Sequence, residues 1–180
     1  MGMKHILLIF AVVMGQSALA VDKKPLTKEE SAKIIEAAIR KIPTLNPKGE
    51  LTKAHLEKVR RLNLGGNRLT DAKGLEKLTN LRFLYLENNK LTSVKGLEKL
   101  THLIALKLTG NQLTDVKGLE KLTKLTLLYL ENNKLTDVKG LENLTKLEYL
   151  FLRGNPDLTK AKIAELQKAL PNCKITYDFK

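Results

Sequence analysis

The segment LYLENN brings a tyrosine, a glutamate and two asparagines together, and it occurs twice, at residues 84–89 and 128–133. Side chains of these types serve binding, because aromatic rings anchor protein interfaces and carboxylates and amides form hydrogen bonds. A catalytic site is normally assembled once in a chain, whereas a surface can be assembled from copies. The repetition therefore favours a recognition surface built from similar units over an active site.

The other residues that could do chemistry do not form a catalytic or metal-binding pattern. Beyond residue 20 the chain has two histidines and two serines, and none has the spacing of a nucleophile or a metal site: His55, His102, Ser31 and Ser93. Cys173 is the single cysteine, which excludes an internal disulfide and a cysteine-rich zinc site, and we expect it to be a small buried residue. The sequence predicts a protein that is not an enzyme and uses no cofactor or metal.

The 44-residue interval between the two segments is two periods of a 22-residue repeat. Five copies, the last one partial, follow the pattern L-x-x-L-x-L-x-x-N-x-L and begin at Val59, Leu81, Leu103, Leu125 and Leu147. The asparagine keeps its register in each copy. We predict that its amide bonds backbone groups of adjacent turns that would otherwise be buried and unpaired. These structural asparagines are Asn67, Asn89, Asn111, Asn133 and Asn155.

A single repeat should not fold alone. Burial of its seven recurrent apolar side chains contributes about 10 to 20 kcal/mol, whereas ordering the whole repeat costs on the order of 30 kcal/mol. Stacked copies share their leucines, so the sequence predicts a short right-handed α/β solenoid, a leucine-rich horseshoe with one parallel strand per turn on its concave side. In the second repeat the predicted core residues are Leu81, Leu84, Leu86, Leu91, Val94, Leu97 and Leu100.

Both open ends of the stack carry segments that can cover the terminal leucines. Thr27 and Glu30 form a T-x-x-E capping box before a helix that ends ahead of Pro43, and Thr52 can start a second short helix. At the other end, residues 160–169 are predicted to form a helix. A last strand is predicted there by the alternation of Ile175, Tyr177 and Phe179.

The first twenty residues have the composition of a secretion signal. A short basic segment precedes the nine-residue apolar run ILLIFAVVM. Ala18-Leu19-Ala20 then supplies small residues at the positions that a signal peptidase recognises. Nine residues span about 14 Å as a helix, roughly half a bilayer core, so we expect cleavage near Ala20/Val21 rather than a membrane span or a buried helix. The predicted parts of this secreted or periplasmic protein are a signal peptide (1–20), a linker and helical cap (21–58), four repeats (59–146), and a partial fifth repeat with a C-terminal cap (147–180).

From about residue 33 to its end, the chain resembles the bacterial internalin-like leucine-rich repeat proteins of the 22-residue class. The segment IIEAAIRKI…GELTKAHLEKV resembles the helical N-terminal cap of that class, and VKGLEKLT stands where the class has a short turn or 3₁₀ segment. The resemblance implies a curved solenoid that binds another macromolecule, usually a protein, with its concave sheet. The chain shows no cell-wall sorting tail, no immunoglobulin-like domain and only about five repeats, so the host-receptor role of the class does not carry over.

Side-chain alternation along each strand predicts which residues face the concave side. The leucines of L-x-x-L-x-L-x-x-N point into the core, so the third, fifth and seventh positions face the concave side. Aromatic residues make up 4% of the chain and should fill less than one of these fifteen positions, yet they fill five. The enrichment favours a binding face, with strand propensity and plain duplication as alternatives. Beside Gly65 and Ala105, the predicted partner-binding residues are Arg61, Asn63, Phe83, Tyr85, Glu87, Lys107, Thr109, Leu127, Tyr129, Glu131, Tyr149, Phe151 and Arg153.

The formal net charge of +13 has two interpretations. Lysines and glutamates recur together beyond each strand, a mixture typical of a solvated outer face. The alternative is a basic envelope protein that adheres to an anionic polysaccharide or another polyanion, without any nucleic-acid motif. We predict a monomeric protein-binding module first, the polyanion-binding protein second and an enzyme with an unrecognised site last. The aspartates of the LTD segments should cap outer turns rather than bind calcium: Asp71, Asp115 and Asp137.

Overall fold

The structure, a computed structural model, describes residues 26–45 and 47–178, so the predicted signal peptide lies outside the described residues. Six parallel strands form one sheet in sequence order, and equivalent repeat positions pair, as Leu84 does with Leu62 and Leu106. The strands are β1 (Arg61–Asn63), β2 (Phe83–Tyr85), β3 (Ala105–Lys107), β4 (Leu127–Tyr129), β5 (Tyr149–Phe151) and β6 (Lys174–Thr176). The prediction of a short solenoid with a parallel sheet is confirmed.

The core is a stack of aliphatic side chains between the sheet and the outer turns. All seven core residues predicted in the second repeat are at most 1% exposed. The equivalent residues of the third and fourth repeats are buried as well. Within the described residues, the buried cluster is aliphatic apart from Cys173. Since each repeat contributes its leucines to one continuous core, neighbouring strands are held in a fixed register.

After each of the strands β1 to β4, the chain returns through a short outer turn with the sequence K-G-L-E. In the second repeat, Gly96 has a φ of +99° and lies so close to the preceding turn that an added Cβ would be 3.2 Å from the Ala72 carbonyl oxygen. Glu98 Oε2 accepts a hydrogen bond of 2.6 Å from the Gly96 N–H and closes the turn. Three other turns have the same hydrogen bond and form 3₁₀ turns at Leu75–Lys77, Leu119–Lys121 and Leu141–Asn143.

Four of the repeat asparagines form a ladder of buried amides beside the sheet. Asn111 Nδ2 donates to the carbonyls of Leu86 and Leu108, both at 2.9 Å, and its Oδ1 accepts from the Leu91 N–H at 3.0 Å. Asn89, Asn133 and Asn155 make the equivalent contacts with their own neighbouring turns. Each amide therefore satisfies backbone groups in two turns.

Asn67 differs from the other four asparagines because no repeat precedes its turn. Its Nδ2 donates to the Gly65 carbonyl at 3.0 Å, within the same turn. The side chain is half-buried, whereas the four others are at most 7% exposed. Asn67 thus stabilises its own turn and does not bridge to a preceding one.

The N-terminal end is covered by helix α1 (Lys28–Arg40) and the short helix α2 (Lys53–Lys58). The predicted capping box is present: the Thr27 N–H donates to Glu30 Oε2 at 2.7 Å, and Thr27 Oγ1 accepts from the Glu30 N–H at 3.2 Å. Thr52 caps α2 in the same way, with His55 in the place of the glutamate. Two isoleucines of α1 are 3% exposed and join the leucine core: Ile35 and Ile39.

The C-terminal end is covered by helix α3 (Lys160–Ala169), which has the predicted bounds, and by β6. Ile163 and Leu166 of α3 are buried against the last repeat. Strand β6 is shorter than the predicted alternation: Ile175 pairs with Leu150, Tyr177 follows the strand, and Phe179 lies outside the described residues. No helix among the described residues is both long enough and apolar enough to cross a membrane.

Candidate functional site on the concave sheet face

The concave-facing residues form three columns that run across the strands. The first column is Arg61, Phe83, Ala105, Leu127, Tyr149 and Lys174, and the central column is Asn63, Tyr85, Lys107, Tyr129, Phe151 and Thr176. The third column follows the strands and contains Gly65, Glu87, Thr109, Glu131 and Arg153. Between the first two columns, each strand has one leucine or isoleucine whose side chain points toward the core. The side chains on either side of it therefore point to the concave face. Apart from the buried Ala105, all these residues are exposed or half-buried.

The central column is a continuous stack of rings around one cation. The Lys107 ammonium lies 5.4 Å from the Tyr85 ring centroid and 5.0 Å from that of Tyr129. On its other side the Tyr129 ring stacks on Phe151, with centroids 4.5 Å apart and planes 4° from parallel. Contacts of these two kinds each contribute about 0.5 to 1.5 kcal/mol. The stack limits the rotamers of all four side chains and occupies both faces of the Tyr129 ring.

The first column combines an apolar strip with basic ends. The Arg61 guanidinium lies 5.0 Å from the centroid of the Phe83 ring. Leu127 is half-buried, and Tyr149 is 45% exposed, which makes it the most exposed large hydrophobic residue in the described ranges. Lys174 lies beside Tyr149 at the C-terminal edge of the sheet. This strip continues the apolar surface of the central column.

The third column places the two glutamates of the LYLENN segments in different surroundings. Glu131 Oε2 accepts a hydrogen bond from Thr109 Oγ1 at 3.3 Å. The residue equivalent to Thr109 in the turn before Glu87 is Gly65, which has no side chain to donate. Glu87 Oε2 is buried and has no hydrogen-bond partner among the described residues. An added Cβ on Gly65 would lie 3.1 Å from Glu87 Cδ, so the carboxylate occupies the space above the glycine.

The alternation of asparagine and glycine after the third column explains the spacing of the LYLENN segments. Asn88 and Asn132 have left-handed backbones, with φ of 56° and 54°, and the next turns have Gly110 and Gly154 at the same position, also with positive φ. A Cβ on Gly110 would lie 2.5 Å from Asn88 Oδ1, and one on Gly154 would likewise collide with the Asn132 side chain. An asparagine in one turn is thus accommodated by a glycine in the next, which gives a two-repeat period.

The outer face carries charges that are engaged with the backbone. Asp71, Asp115 and Asp137 accept hydrogen bonds from N–H groups two residues later, as predicted for caps of outer turns. Hydrogen bonds from backbone N–H groups, its own and that of Gly96, hold the pKa of Glu98 below its usual range. The described residues contain no group of three or more His, Cys, Asp or Glu side chains placed to hold a metal ion.

Cys173 is buried against the C-terminal cap, as the sequence analysis expected. Desolvation raises the pKa of its thiol to about 11. Because the thiolate is the reactive form, this cysteine is a poor nucleophile at neutral pH. It acts as a packing residue of the cap.

The concave residues that the sequence analysis did not include are Lys174 and Thr176 of β6. They continue the first and central columns by one strand. Helix α3 replaces the outer turn before β6, so the spacing from Leu150 to its partner Ile175 is 25 residues instead of 22. The alternation K-I-T around Ile175 was the available signal, because an inward isoleucine places its two neighbours on the concave side.

One strand per turn, a shared leucine core and a ladder of buried asparagines define a leucine-rich repeat solenoid. The chain belongs to the leucine-rich repeat family: the family model described as "Leucine Rich repeats (2 copies)" matches residues 57–99, 79–121, 101–143 and 123–168. Leucine-rich repeats generally mediate protein–protein interaction and are typically not enzymes. Among curated proteins, no match was found.

Solved structures of two bacterial proteins share this architecture and make the chain internalin-like. An internalin, InlF, from Listeria monocytogenes has a TM-score of 0.69 and 29% identity, over 81% of this chain and 42% of that protein's chain. A leucine-rich repeat protein from Leptospira interrogans has a TM-score of 0.63 and 33% identity, over 72% of this chain and 34% of that one. The chain thus spans less than half the length of either protein.

Proposed function

We propose that this protein is a non-catalytic binding module that recognises another protein through its concave sheet face. The observation that carries the proposal is the central column, in which Tyr85, Lys107, Tyr129 and Phe151 are held against one another at the surface. Aromatic residues on a rigid surface make good interface anchors, because little side-chain freedom remains to be lost on binding. The proposal includes export through residues 1–20 and action outside the cytoplasm.

The arrangement of the rings favours a protein partner over a flat ligand that stacks on aromatic faces. Lys107 and Phe151 cover the two faces of the Tyr129 ring, so edges and hydroxyl groups are what this ring offers to a partner. Ring edges and phenol groups suit an irregular surface of apolar and polar side chains. The two neighbouring columns add apolar contact area on one side and carboxylates on the other.

The outer face gives less support to the polyanion alternative. In the outer turn of the first repeat, negative and positive residues alternate along the chain: Asp71, Lys73, Glu76 and Lys77. Opposite charges this close partly offset one another, so these outer turns attract a polyanion less than their lysines alone would. A salt titration separates the two functions, because polyanion binding falls steeply with added salt, whereas aromatic-anchored binding persists.

The experiment is the double substitution Tyr85→Ala and Tyr129→Ala, with the purified protein used to capture proteins from the native envelope fraction. Neither ring belongs to the leucine core, so the variant should remain folded and lose only the ring contacts of the central column. Binding of the captured partner should weaken by about 2 kcal/mol or more if the two tyrosines are hot spots. The measurement is a dissociation constant, with thermal unfolding as the check on the fold.

Two controls from the same repeats make the outcome decisive. Lys95→Ala with Lys139→Ala changes the exposed outer face at the same two-repeat spacing and should leave binding unchanged. Leu84→Ala opens a cavity at a fully buried position and should cost about 2 to 5 kcal/mol of stability. A folded tyrosine variant that binds as tightly as the wild type would place the binding face elsewhere.

A further inference from the structure

We propose that Glu87 is a specificity-determining residue that binds a lysine or arginine side chain of the protein partner. The inference rests on the proposed function, because it assigns chemistry to one position of the concave face. It starts from the unsatisfied carboxylate oxygen of Glu87, which is buried without a hydrogen-bond partner in the described part of the chain. A buried carboxylate oxygen without a partner destabilises the free protein, and a cationic donor from outside removes that penalty.

Glu131 provides an internal comparison, because it occupies the same position in an identical six-residue segment. Thr109 Oγ1 donates to Glu131 Oε2, so this carboxylate is satisfied within the protein. The preceding turn has Gly65 where a threonine would supply the same donor to Glu87. The two glutamates therefore have the same sequence context and different hydrogen bonding, and one of them alone is left to bind a partner.

Gly65 is not required there by its backbone conformation. Its φ is not positive, unlike those of Gly66, Gly110 and Gly154, so other residues are sterically allowed at this position. Because Gly65 has no side chain, the Glu87 carboxylate lies over its backbone, with Cδ 3.1 Å from the place of an added Cβ. A second acceptor oxygen lies beside it, since Asn63 Oδ1 accepts a hydrogen bond of 2.9 Å from the Gly65 N–H. A group of acceptor oxygens on the concave face suits an ammonium or a guanidinium group, which carries several donors.

Among the cations of residues 26–45 and 47–178, none forms an ion pair with Glu87. The two cations nearest in the columns are engaged with rings: Arg61 lies over Phe83, and Lys107 lies between two tyrosines. Tyr85 adjoins Glu87 on the same turn, so a partner segment with a basic residue next to an apolar or aromatic one fits both positions.

The test is a selection of linear peptides displayed on phage, with the purified protein as the immobilised target. Wild-type protein should enrich peptides that contain lysine or arginine beside an apolar or aromatic residue. Glu87→Gln removes the charge and should return the frequency of basic residues to that of the unselected library. For a peptide selected on the wild type, the same change should weaken binding about tenfold or more.

Two further variants separate this role from a general effect of charge or fold. Gly65→Thr rebuilds the Thr109 arrangement and satisfies Glu87 internally, so it should abolish the basic preference without removing the carboxylate. Glu165→Gln removes an equal charge from an exposed position of helix α3, outside the concave face, and should keep the preference. Melting temperatures should not fall below that of the wild type in any of the three variants, since none of them alters the leucine core.

The possible outcomes distinguish the role of Glu87 from the function of the concave face as a whole. Selected peptides that depend on Tyr85 and Tyr129 but show no basic preference overturn the role of Glu87 and leave the concave binding face in place. A preference that is lost equally with Glu165→Gln has the same consequence. A preference that survives Glu87→Gln also overturns that role. A selection without any sequence that depends on the two tyrosines overturns both the inference and the proposed function.

Discussion

Single asparagine side chains hold neighbouring turns of the solenoid together. Each amide of the buried ladder engages carbonyl groups in two turns and one or two N–H groups beside the apolar core, where water cannot satisfy them. Buried polar groups left without partners cost about 1 to 3 kcal/mol each. The four buried asparagines therefore stabilise the parallel stacking more than their small number suggests.

At this scale we predict that Asn111→Ala destabilises the protein by about 3 kcal/mol or more, because it leaves the carbonyls of Leu86 and Leu108 and the Leu91 N–H without their partner. Asn67→Ala is the matched control, since this half-buried amide bonds only the Gly65 carbonyl, and its loss should cost about 1 kcal/mol. Urea denaturation measures both values. Equal losses would contradict the role assigned to the ladder.

The concave positions were predictable residue by residue, but their interactions were not. Leucines at fixed intervals determine the alternation of a strand, so Tyr85, Lys107 and Tyr129 could be assigned to one face from the pattern. Whether Lys107 contacts both rings depends on rotamers chosen across two turns. The difference between Glu87 and Glu131 depends on a residue 22 positions earlier, Gly65 in one case and Thr109 in the other. A repeat pattern identifies equivalent positions in different copies, but it does not show which side-chain atoms are in contact.

At the scale of elements, helix α3 is fixed to the solenoid by polar contacts as well as by its apolar face. Lys162 Nζ donates to the Thr136 carbonyl at 2.6 Å and to Asp137 Oδ2 at 2.9 Å. The hydrogen bond from Lys162 is the main cause that lowers the pKa of Asp137 from its usual value of 3.8. Asp137 also caps its own outer turn, so one carboxylate links the fourth repeat to the cap.

This contact predicts a pH-dependent contribution to stability. A lowered pKa in the folded state means that ionised Asp137 stabilises the protein above pH 3.8, and that the contribution is lost as the pH falls through the folded-state pKa. Asp137→Asn should lower the Tm by about 1 to 3 °C at pH 7, a small effect because the pair is partly exposed. The two melting curves should converge at acid pH.

The equivalent substitution one repeat earlier is the control for this pH dependence. Asp115 Oδ1 accepts the equivalent hydrogen bond of 3.0 Å from the Lys117 N–H, and its carboxylate forms no ion pair with the described residues. Asp115→Asn should therefore change the Tm less than Asp137→Asn does. A difference between wild type and Asp137→Asn that stays constant down to pH 2 would refute the linkage.

The helices were predicted more accurately than the last strand, for a physical reason. A capping box and a proline are local signals, so the beginning of α1 and the bounds of α3 could be predicted from neighbouring residues. Strand β6 exists because the edge of β5 is open to pairing, and α3 has replaced the outer turn that sets the period elsewhere. Ile175 is aligned by this tertiary pairing with Leu150, which no local preference determines.

At the scale of the whole molecule, the fold is a stack in which each repeat rests on its neighbours and the two ends are covered by helices. This arrangement exposes a rigid sheet face. The core residues of all five repeats lie between residues 59 and 152.

We predict that the exported protein begins at Val21. The nine-residue apolar run before Ala18-Leu19-Ala20 is long enough for a signal peptide and, at about 14 Å as a helix, too short for a bilayer core. Mass spectrometry of the protein isolated from its native host measures the N-terminus. A mature protein that retains Met1 or Gly2 would contradict cleavage.

The composition of the concave face also gives the protein an intrinsic optical probe. The chain has no tryptophan and four tyrosines, and three of the four lie in the first and central columns: Tyr85, Tyr129 and Tyr149. Ultraviolet fluorescence of the unlabelled protein therefore originates mainly from the proposed binding surface. A ligand that displaces Lys107 from the rings or excludes water from Tyr149 changes the emission directly, so occupancy of this face can be followed in solution without a dye.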